Sequence, residues 1–306
     1  MNKISLYAIL LLLAATVYSY SPGTIGYQFL RTHTGARPSA MAGSFLAVPG
    51  DIHNIYYNPA GINRIPVSSA TFTYLDHLLD VKSGFAGYVH PDILHGNIGV
   101  GALYVDYGNF EGADEQGNPT GDFGASSVAL SLTYATYLMN NLSLGATAKF
   151  IHASIESHSS NAVALDASIM YAVPLHDLHI AIGVFNLGET LTPFVDRKEE
   201  LPLNFKAGVS KKLAHLPLLV SLTLYKYNEE QWHGAVGGEF ILTDYLFFRL
   251  GYDHIGRDMQ TGSSRDRFAG AATGFGVLFK SLRFDYALTS FGDLGTLNRF
   301  TLAGHF

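Results

Sequence analysis

The chain ends in the heptapeptide Phe-Thr-Leu-Ala-Gly-His-Phe, residues 300–306, in which apolar side chains alternate with small or polar ones. Successive side chains of a β-strand point to opposite faces, so Phe300, Leu302 and Phe306 would share one face of a strand. The terminal residue is itself aromatic. An ordinary soluble edge strand can also end in phenylalanine. The rest of the chain must therefore decide whether this strand belongs to a soluble sheet or to a membrane barrel.

Three internal segments repeat this alternation over most of their length. Residues 142–150, 203–210 and 282–289 each place apolar side chains on one face and polar or small ones on the other. A half-buried soluble sheet also alternates, but charged residues make up only 14% of this chain, against about 25% in a typical soluble domain. The pattern favours strands with one lipid face and one lumen face. Their charged residues fall on the polar, lumen face: Lys149, Lys206, Arg283 and Asp285.

The same reading along the chain predicts fourteen strands, an even number, as in bacterial single-chain barrels. Short connections alternate with longer polar or glycine-rich ones at 111–121, 188–202 and 256–266, which is the asymmetry of periplasmic turns and external loops. We therefore predict an all-β fold, a transmembrane antiparallel up-and-down β-barrel over residues 68–306. The predicted strands are 68–77, 82–90, 96–108, 124–137, 142–155, 162–173, 178–187, 203–211, 218–227, 233–242, 245–254, 267–279, 282–290 and 297–306.

The amino terminus predicts export. Residues 1–19 carry one lysine, Lys3, followed by an apolar run over 4–17, which is shorter than the roughly 20 residues of a spanning helix and typical of a cleaved signal peptide. The chain has no cysteine, so an extensive hydrogen-bonded scaffold must stabilise the exported protein. We predict a location in the bacterial outer membrane, with membrane lipid around the barrel.

Charge and motifs exclude several functions. The formal net charge of −6 argues against a nucleic-acid partner, which would favour a clustered basic face. Thirteen histidines form no His-Glu-x-x-His pair, and no Gly-x-Ser-x-Gly elbow occurs. We therefore expect neither a catalytic site nor a metal or cofactor, and the chain is not predicted to be an enzyme. Arg249 and Asp253, with Arg283 and Asp285, are better explained as paired, hydrated lumen side chains than as an acid–base site.

Tyrosines concentrate near the ends of the predicted strands. There an amphipathic ring could lie at the lipid headgroups, as in the aromatic girdles of membrane barrels. The high β-propensity of tyrosine explains the same distribution equally well. The residues concerned are Tyr104, Tyr107, Tyr134, Tyr137, Tyr171, Tyr225, Tyr227, Tyr245 and Tyr252.

Residues 20–67 show no sheet periodicity and are too long for a simple connection. They contain a small-residue run at 35–47 and the turn-forming sequence Asn58-Pro59-Ala60-Gly61. Irregular backbone would leave polar groups unsatisfied in lipid. We therefore predict that this segment is a hatch packed inside the barrel rather than a flexible linker.

These motifs resemble the amino-terminal signature of the PorV/PorQ family, which is similar to the FadL long-chain fatty-acid transporters. In those proteins the corresponding segment forms a hatch inside a fourteen-stranded barrel. The dispersed segments 105–108, 186–188, 200–202, 211–215, 242–246 and 250–252 resemble PorQ in particular. The hatch residues that carry the resemblance are Gly35, Ala36, Arg37, Gly43, Asn58, Pro59, Ala60 and Gly61.

The resemblance implies a component or adaptor of type IX protein secretion, with secretion components or cargo proteins as partners. The carboxyl terminus resembles the closing strand of outer-membrane barrels, which implies that Phe300, Leu302 and Phe306 belong to the signal read by the barrel-assembly machinery. The alternative is a FadL-like channel for long-chain fatty acids or other hydrophobic compounds. The charged and hydroxyl-bearing lumen positions would supply little of an apolar pocket, and on that ground the adaptor is the favoured hypothesis.

Overall fold

The computed structural model describes residues 25–77, 81–114, 116–174, 176–228, 230–259, 262 and 264–306. The predicted signal peptide, 1–19, lies outside this range. Within the described residues, fourteen antiparallel strands form one closed barrel, in which each strand pairs with its sequence neighbours and the last pairs with the first. The predicted fold class and strand number are therefore confirmed. No helix of the described part is long and apolar enough to cross a membrane.

The strands follow one another without crossovers, and each runs antiparallel to both of its neighbours. They are β1 (Ser69–Asp76), β2 (Lys82–Ile93), β3 (Gly96–Ala113), β4 (Pro119–Met139), β5 (Leu142–Ile155), β6 (His158–Val173), β7 (Leu178–Thr192), β8 (Asn204–Lys212), β9 (Leu218–Tyr227), β10 (His233–Thr243), β11 (Leu246–Asp253), β12 (Ala271–Phe279), β13 (Leu282–Ser290) and β14 (Thr296–His305).

Strands β5, β9 and β13 have the predicted bounds, whereas β3 and β4 are longer than predicted. The predicted loop 111–121 is mostly strand, because Phe110 pairs with Phe123 across the hairpin and their rings stack with centroids 5.4 Å apart. The pairing register shifts just before this pair, and Gly108 has a left-handed φ of 78°. Both irregularities interrupt the alternation from which strands are predicted.

Two other predicted boundaries are wrong for related reasons. Strand β7 continues to Thr192 across a register shift opposite Asp166, so the loop predicted at 188–202 begins later. Strand β12 begins at Ala271 rather than 267, since the preceding Ser264–Phe268 forms a 3₁₀ helix. Periodicity alone locates regular strands well and bulged strands poorly.

The outer face of the barrel is apolar. On β5, Leu144 and Phe150 are 37% and 45% exposed, whereas the alternating Ser143, Thr147 and Lys149 are buried. Strands all round the barrel show this pattern, including β8 with exposed Phe205. Exposed apolar side chains on every side of a closed barrel are stable when lipid surrounds them. The barrel therefore spans a membrane.

Residues 25–66 precede the barrel and contain two short α-helices, α1 (Ala36–Ala40) and α2 (Asn54–Tyr57), and two 3₁₀ helices, Gln28–Arg31 and Pro59–Arg64. We refer to residues 25–66 as the plug. Its backbone is hydrogen-bonded by side chains from widely separated strands: Asn97 on β3, Ser168 on β6, Ser210 on β8 and Thr301 on β14. These four side chains are buried, so the plug contacts inward-facing positions on several sides of the closed barrel.

Candidate functional site

The small residues of the plug allow its backbone to approach the barrel wall closely. A Cβ atom added to Gly145 on β5 would overlap the Pro59–Ala60 peptide, and one on Gly251 of β11 would overlap the Met41–Ala42 peptide. Within the plug, Gly35 and Gly43 have φ values of 78° and 73°, a region that side chains disfavour. Backbone thus packs against backbone on both sides of the lumen.

The Asn-Pro-Ala-Gly sequence ties the plug to β6. The Asn58 Oδ1 atom accepts hydrogen bonds from Ala60 N at 3.1 Å and from Ser168 Oγ at 2.6 Å, while Ala60 N also donates to Ser168 Oγ at 3.0 Å. The Asn58 amide nitrogen donates to the Leu46 carbonyl. Pro59 begins the 3₁₀ helix, where its lack of an N–H has no cost. The sequence predicted this turn, and the structure adds its anchor on the wall.

A closed ring of six alternating charges joins the plug to β10, β11 and β13. Plug residue Arg37 donates to Glu239 at 2.6 Å and to Asp51 at 2.8 Å. Arg249 bridges Glu239 at 2.6 Å and Asp285 at 2.7 Å. Arg283 completes the cycle, with Asp285 at 2.7 Å and Asp51 at 3.0 Å. We call this set the charge ring: Arg37, Asp51, Glu239, Arg249, Arg283 and Asp285.

The charge ring is largely buried: the Arg249 and Asp285 side chains are 0% exposed, whereas those of Arg37 and Arg283 are 14% and 21% exposed. Burial alone would raise the pKa of Asp51, but Arg283, His53 and Arg37 hold it well below its usual range. The plug carboxylate is therefore charged at neutral pH. Four ring members are residues that the sequence singled out; Asp51 and Glu239 are not. Glu239 could have been found, because it lies at an inward position of the alternation in β10.

The remaining predicted lumen residues lie apart from the charge ring. Lys149 on β5 is buried, 2.6 Å from Asp166 Oδ2, and donates to Asn186 Oδ1 at 2.8 Å. Lys206 on β8 lies over the Phe185 ring at 4.7 Å. Asp253 ends β11, where both of its carboxylate oxygens accept from the Tyr225 hydroxyl, at 2.8 and 2.7 Å.

The lumen face of β2–β6 includes a continuous apolar cluster, contrary to the expectation that the lumen supplies little apolar surface. Ile55 and Ile62 of the plug pack there in one continuous cluster of buried side chains. That expectation rests on residues 142–150, 203–210 and 282–289, whose inner faces carry charges, and not on β2–β4. We call the following wall residues the apolar wall: Phe85, Val89, Leu103, Val105, Ala129, Ala135, Ile151, Ala153, Ala162 and Ala164.

A cavity of about 490 Å³ lies between the plug and one rim of the barrel. Its floor is plug backbone and side chains at 32–33 and 42–43, and loop residues Ile255, Met259 and Phe291 line its other end. These loops lie on the rim opposite the chain terminus, together with the long connection 193–203. Long loops mark the external rim of outer-membrane barrels, so we call this space the external cavity. Its walls include Lys206, Tyr225, Tyr227, Asp253, Leu297 and Arg299.

Tyr225 and Tyr227 occupy inward positions of β9 and are each only 8% exposed. The sequence allows a lipid-interface role for tyrosines near strand ends, and that role is wrong for these two because they face inward. By contrast, Tyr104, Tyr137 and Tyr245 are well exposed on the barrel surface. The inward pair forms an edge-to-face contact with ring centroids 5.8 Å apart.

Phe300, Leu302 and Phe306 lie on the outer face of the closing strand, with 41%, 51% and 75% of their surfaces exposed. Strand β14 pairs with β13 on one side and with β1 on the other. Recognition by the assembly machinery remains a prediction. In the described part of the chain, no group of three or more His, Asp or Glu side chains is placed to hold a metal ion.

No protein-family model matches the chain, and no curated protein sequence matches it. Solved structures do. The toluene transporter TbuX of Ralstonia pickettii superposes with a TM-score of 0.61 at 11% identity, over 89% of this chain and 98% of that one. The toluene transporter TodX of Pseudomonas putida gives 0.61 at 9% identity, over 89% and 96%. A Pseudomonas aeruginosa FadL homologue gives 0.57 at 12% identity, over 88% and 97%.

At these identities the likeness is one of fold, and it extends over nearly the full length of each structure. The closed barrel of fourteen strands with an apolar exterior agrees with the predicted location in the bacterial outer membrane. The structural likeness does not test the finer assignment to the PorV/PorQ family. The chain therefore has the fold of the FadL-like outer-membrane transporters.

Proposed function

We propose that the protein is an outer-membrane channel that takes up small compounds with substantial apolar surface, and that it has no catalytic role. The observation that carries this proposal is the external cavity, which lies directly above the plug in a FadL-like barrel. Ligand sites are concave, of about 300–1,000 Å³, and combine apolar or aromatic walls with a few polar groups. The external cavity has this size and this composition.

The apolar wall supports the same proposal. Hydrophobic side chains on β2–β6 continue along the lumen beside the plug, so an apolar compound displaced past the plug would stay out of water. The plug nevertheless contacts the barrel wall backbone directly at Gly145 and Gly251. Passage therefore requires part of the plug to move.

A second candidate, an adaptor in type IX protein secretion, is favoured by the resemblance of residues 35–47 and 57–61 to the PorV/PorQ signature. The charge ring also suits a barrel that stays closed, because it fixes the plug to three strands. An adaptor would act through its external loops or lateral surface, with secretion components or cargo as partners. The external cavity gives the channel the stronger support.

Deletion of the gene separates the two candidates. For a channel, we expect uptake of labelled toluene or of a labelled long-chain fatty acid to fall, with surface proteins unchanged. The measurement pairs initial uptake rates with a surface-protein profile in the same strain, and complementation with the intact gene is the control. Normal uptake together with secreted proteins trapped in the periplasm would reject the channel in favour of the adaptor.

Locking the plug provides a sharper test, because the chain has no native cysteine. Ala40 of the plug and Ala287 of β13 belong to one buried cluster, and thiol titration of the double-cysteine variant measures whether a disulfide forms between these positions. For a channel whose plug moves, the oxidised double variant should lose uptake and regain it on reduction. Each single-cysteine variant is the matched control. Uptake that is identical before and after oxidation would show that passage does not need this part of the plug to move.

A further inference from the structure

Strands β3 and β4 extend beyond their other neighbours at the external rim of the barrel. Pairing between β2 and β3 ends there with Lys82 and Asp106. Pairing between β4 and β5 ends with Ala125 and Ile155. Residues 107–123 therefore form a two-stranded hairpin in which, among the described residues, no third strand pairs with either edge. We call residues 107–123 the external ribbon. Two strands alone are only marginally stable in water, and a third strand stabilises such a ribbon.

The two edges of the external ribbon differ. The β4 edge contains Pro119, and Gly121 has a left-handed φ of 110°. Proline and backbone irregularity both prevent the addition of a strand to an edge. The β3 edge over residues 109–113 has no proline and no positive φ, and its length is that of an ordinary strand. The β3 edge is thus the one that is open to a further strand.

The two faces of the external ribbon also differ. Phe110 and Phe123 stack on one face, and Phe110 is 42% exposed. On the other face, Glu111 lies directly opposite Asp122, and both side chains are exposed. Like charges directly opposite each other destabilise a pair of strands. Residues 107–123 contain no lysine or arginine, so the ribbon does not neutralise these carboxylates itself.

Hydrogen bonds within the turn order the tip of the external ribbon. Asp114 N donates to the Asn118 carbonyl at 2.9 Å. Asp114 Oδ1 accepts from the backbone N–H groups of Gln116 and Asn118, at 3.0 and 2.8 Å. Hydrogen bonds from Asn118 lower the pKa of Asp114, so this carboxylate is charged at neutral pH. The edge is therefore preformed, and a partner that binds it pays little for ordering it.

These features define the chemistry of a strand that fits the open edge. Side chains of a strand alternate between its two faces. An added strand therefore places every second side chain beside Glu111 and Asp122, and the intervening side chains beside Phe110. Basic side chains neutralise the first face, and apolar side chains cover the second. A second copy of the ribbon would instead set acidic groups against acidic groups, which repulsion disfavours.

We propose that the β3 edge of the external ribbon, residues 109–113, binds an extended protein segment in which basic and apolar residues alternate. Main-chain hydrogen bonds along the edge supply affinity, and the two faces select the side chains. The acidic face excludes neutral and acidic strands that would otherwise pair with an open edge. None of the described residues that line the external cavity belongs to the ribbon, so this interaction is separate from the proposed channel.

Synthetic peptides test the proposal on the full barrel in a non-ionic detergent. A fluorescein-labelled peptide of alternating arginine and valine should bind saturably, as measured by fluorescence anisotropy. A peptide of alternating glutamate and valine should bind at least about tenfold more weakly, because it sets like charges opposite each other. A third peptide has the same arginines and valines in two blocks. It should also bind at least about tenfold more weakly, since its side chains no longer match the two faces.

Hydrogen exchange measured by mass spectrometry locates the contact. When the alternating arginine–valine peptide binds, the amides of residues 109–113 should gain protection, because they pair with a new strand. The amides of residues 119–123 on the β4 edge should exchange as before.

Glu111→Lys combined with Asp122→Lys reverses the charge of the acidic face. This double variant should bind the arginine–valine peptide at least about tenfold more weakly and the glutamate–valine peptide more tightly. Heat-modifiable mobility in SDS gels checks that its barrel is folded. Glu189→Lys combined with Asp196→Lys is the matched control, since it makes the same change of charge at exposed positions on the same rim. The control should leave both affinities unchanged.

Several results would overturn the proposal. Equal affinities for the arginine–valine and glutamate–valine peptides, no saturable binding, or unchanged affinities in the charge-reversed variant would each do so. Equal affinities for the alternating and block peptides would show attraction by charge alone and overturn strand addition. Protection of residues 119–123 in place of 109–113 would overturn the assignment to the β3 edge. A dimer in sedimentation velocity, with residues 109–113 protected in the absence of peptide, would identify a second copy as the occupant instead.

Discussion

The two sides of the plug contact the barrel through different interactions, ion pairs on one side and apolar packing on the other. Toward β10, β11 and β13 the contact is the charge ring, in which each acidic group has two arginine partners. Toward β2–β6 the contact is the apolar wall, where Ile55 meets backbone at Gly87, Gly99 and Gly101. Ion pairs require specific partners, whereas apolar contact requires mainly that volumes fit.

The two kinds of contact have different roles: one determines the position of the plug, and the other supplies the stabilising burial of apolar surface. A buried ion pair often contributes little more to stability than an apolar pair of equal volume. Removing one partner, however, leaves the other as an unpaired buried charge. The charge ring therefore defines where the plug lies against the barrel. The apolar wall removes hydrocarbon surface from water, at roughly 25 cal/mol per Å², and supplies cohesion that tolerates small shifts.

The largest effect is expected from Asp285→Ala. It leaves Arg249 and Arg283 each with one carboxylate instead of two, and Arg249 is fully buried. Breaking a buried pair in this way costs about 3–5 kcal/mol. We expect the free energy of unfolding in phospholipid vesicles to fall by that amount, as measured by guanidinium titration with the single tryptophan, Trp232, as the probe.

Asp244→Ala is the control for this variant, because Asp244 lies exposed in the turn between β10 and β11. Its unfolding midpoint should match that of the native sequence. If Asp285→Ala changes stability no more than Asp244→Ala, the charge ring does not hold the plug, and the contrast between the two sides fails.

A smaller effect is expected on the apolar side. Ile55→Ala removes a fully buried side chain from the cluster on β2–β6 and should cost roughly 2–4 kcal/mol through lost burial and a residual cavity. The same guanidinium titration measures it. Val100→Ala, on the lipid face of β3 where Val100 is 47% exposed, should cost well under half as much. Equal losses at the two positions would show that the plug side of β3 is not the packed one.

The smallest effect concerns pH. The depressed pKa of Asp51 means that its ionic contribution is fully present above the unfolded pKa of about 4 and is lost only as pH falls through the lower folded value. The difference in unfolding free energy between the native sequence and Asp51→Asn should therefore be the same at pH 7 and pH 5 and shrink below pH 4. A difference that already shrinks between pH 7 and pH 5 would contradict the pairing of Asp51 in the charge ring.

The parts of the fold that depend on local periodicity could be predicted from the sequence. Strand β5 has the predicted bounds because residues 142–155 alternate without interruption. The β3–β4 hairpin could not be delimited, since the bulge near Gly108 changes which side chains face inward. A one-residue shift of phase is invisible to a pattern that assumes a constant period.

The candidate site was predictable only in part. Individual lumen charges such as Arg249 and Asp285 could be found, but their pairing joins residues on different strands that no spacing rule connects. Arg299 was overlooked although it lies at an inward position two residues before Thr301 in β14. The apolar ending of that strand directed attention to its lipid face, and the same alternation would have identified the cation on its other side.

The long separation between the plug and its ring partners also fixes an order of events during folding. Arg37 must meet Glu239, and Ala36 must meet Thr301, which lie 202 and 265 positions further along the chain. The plug precedes all the strands in the chain, yet its tertiary contacts can form only after the last hairpins are present. Until then Arg37 and Asp51 remain in water. Pairing of β14 with β1 both closes the barrel and completes the contacts of the plug. Contacts of such high sequence separation are slow to form, so docking of the plug is expected to be a late step in the folding of this protein.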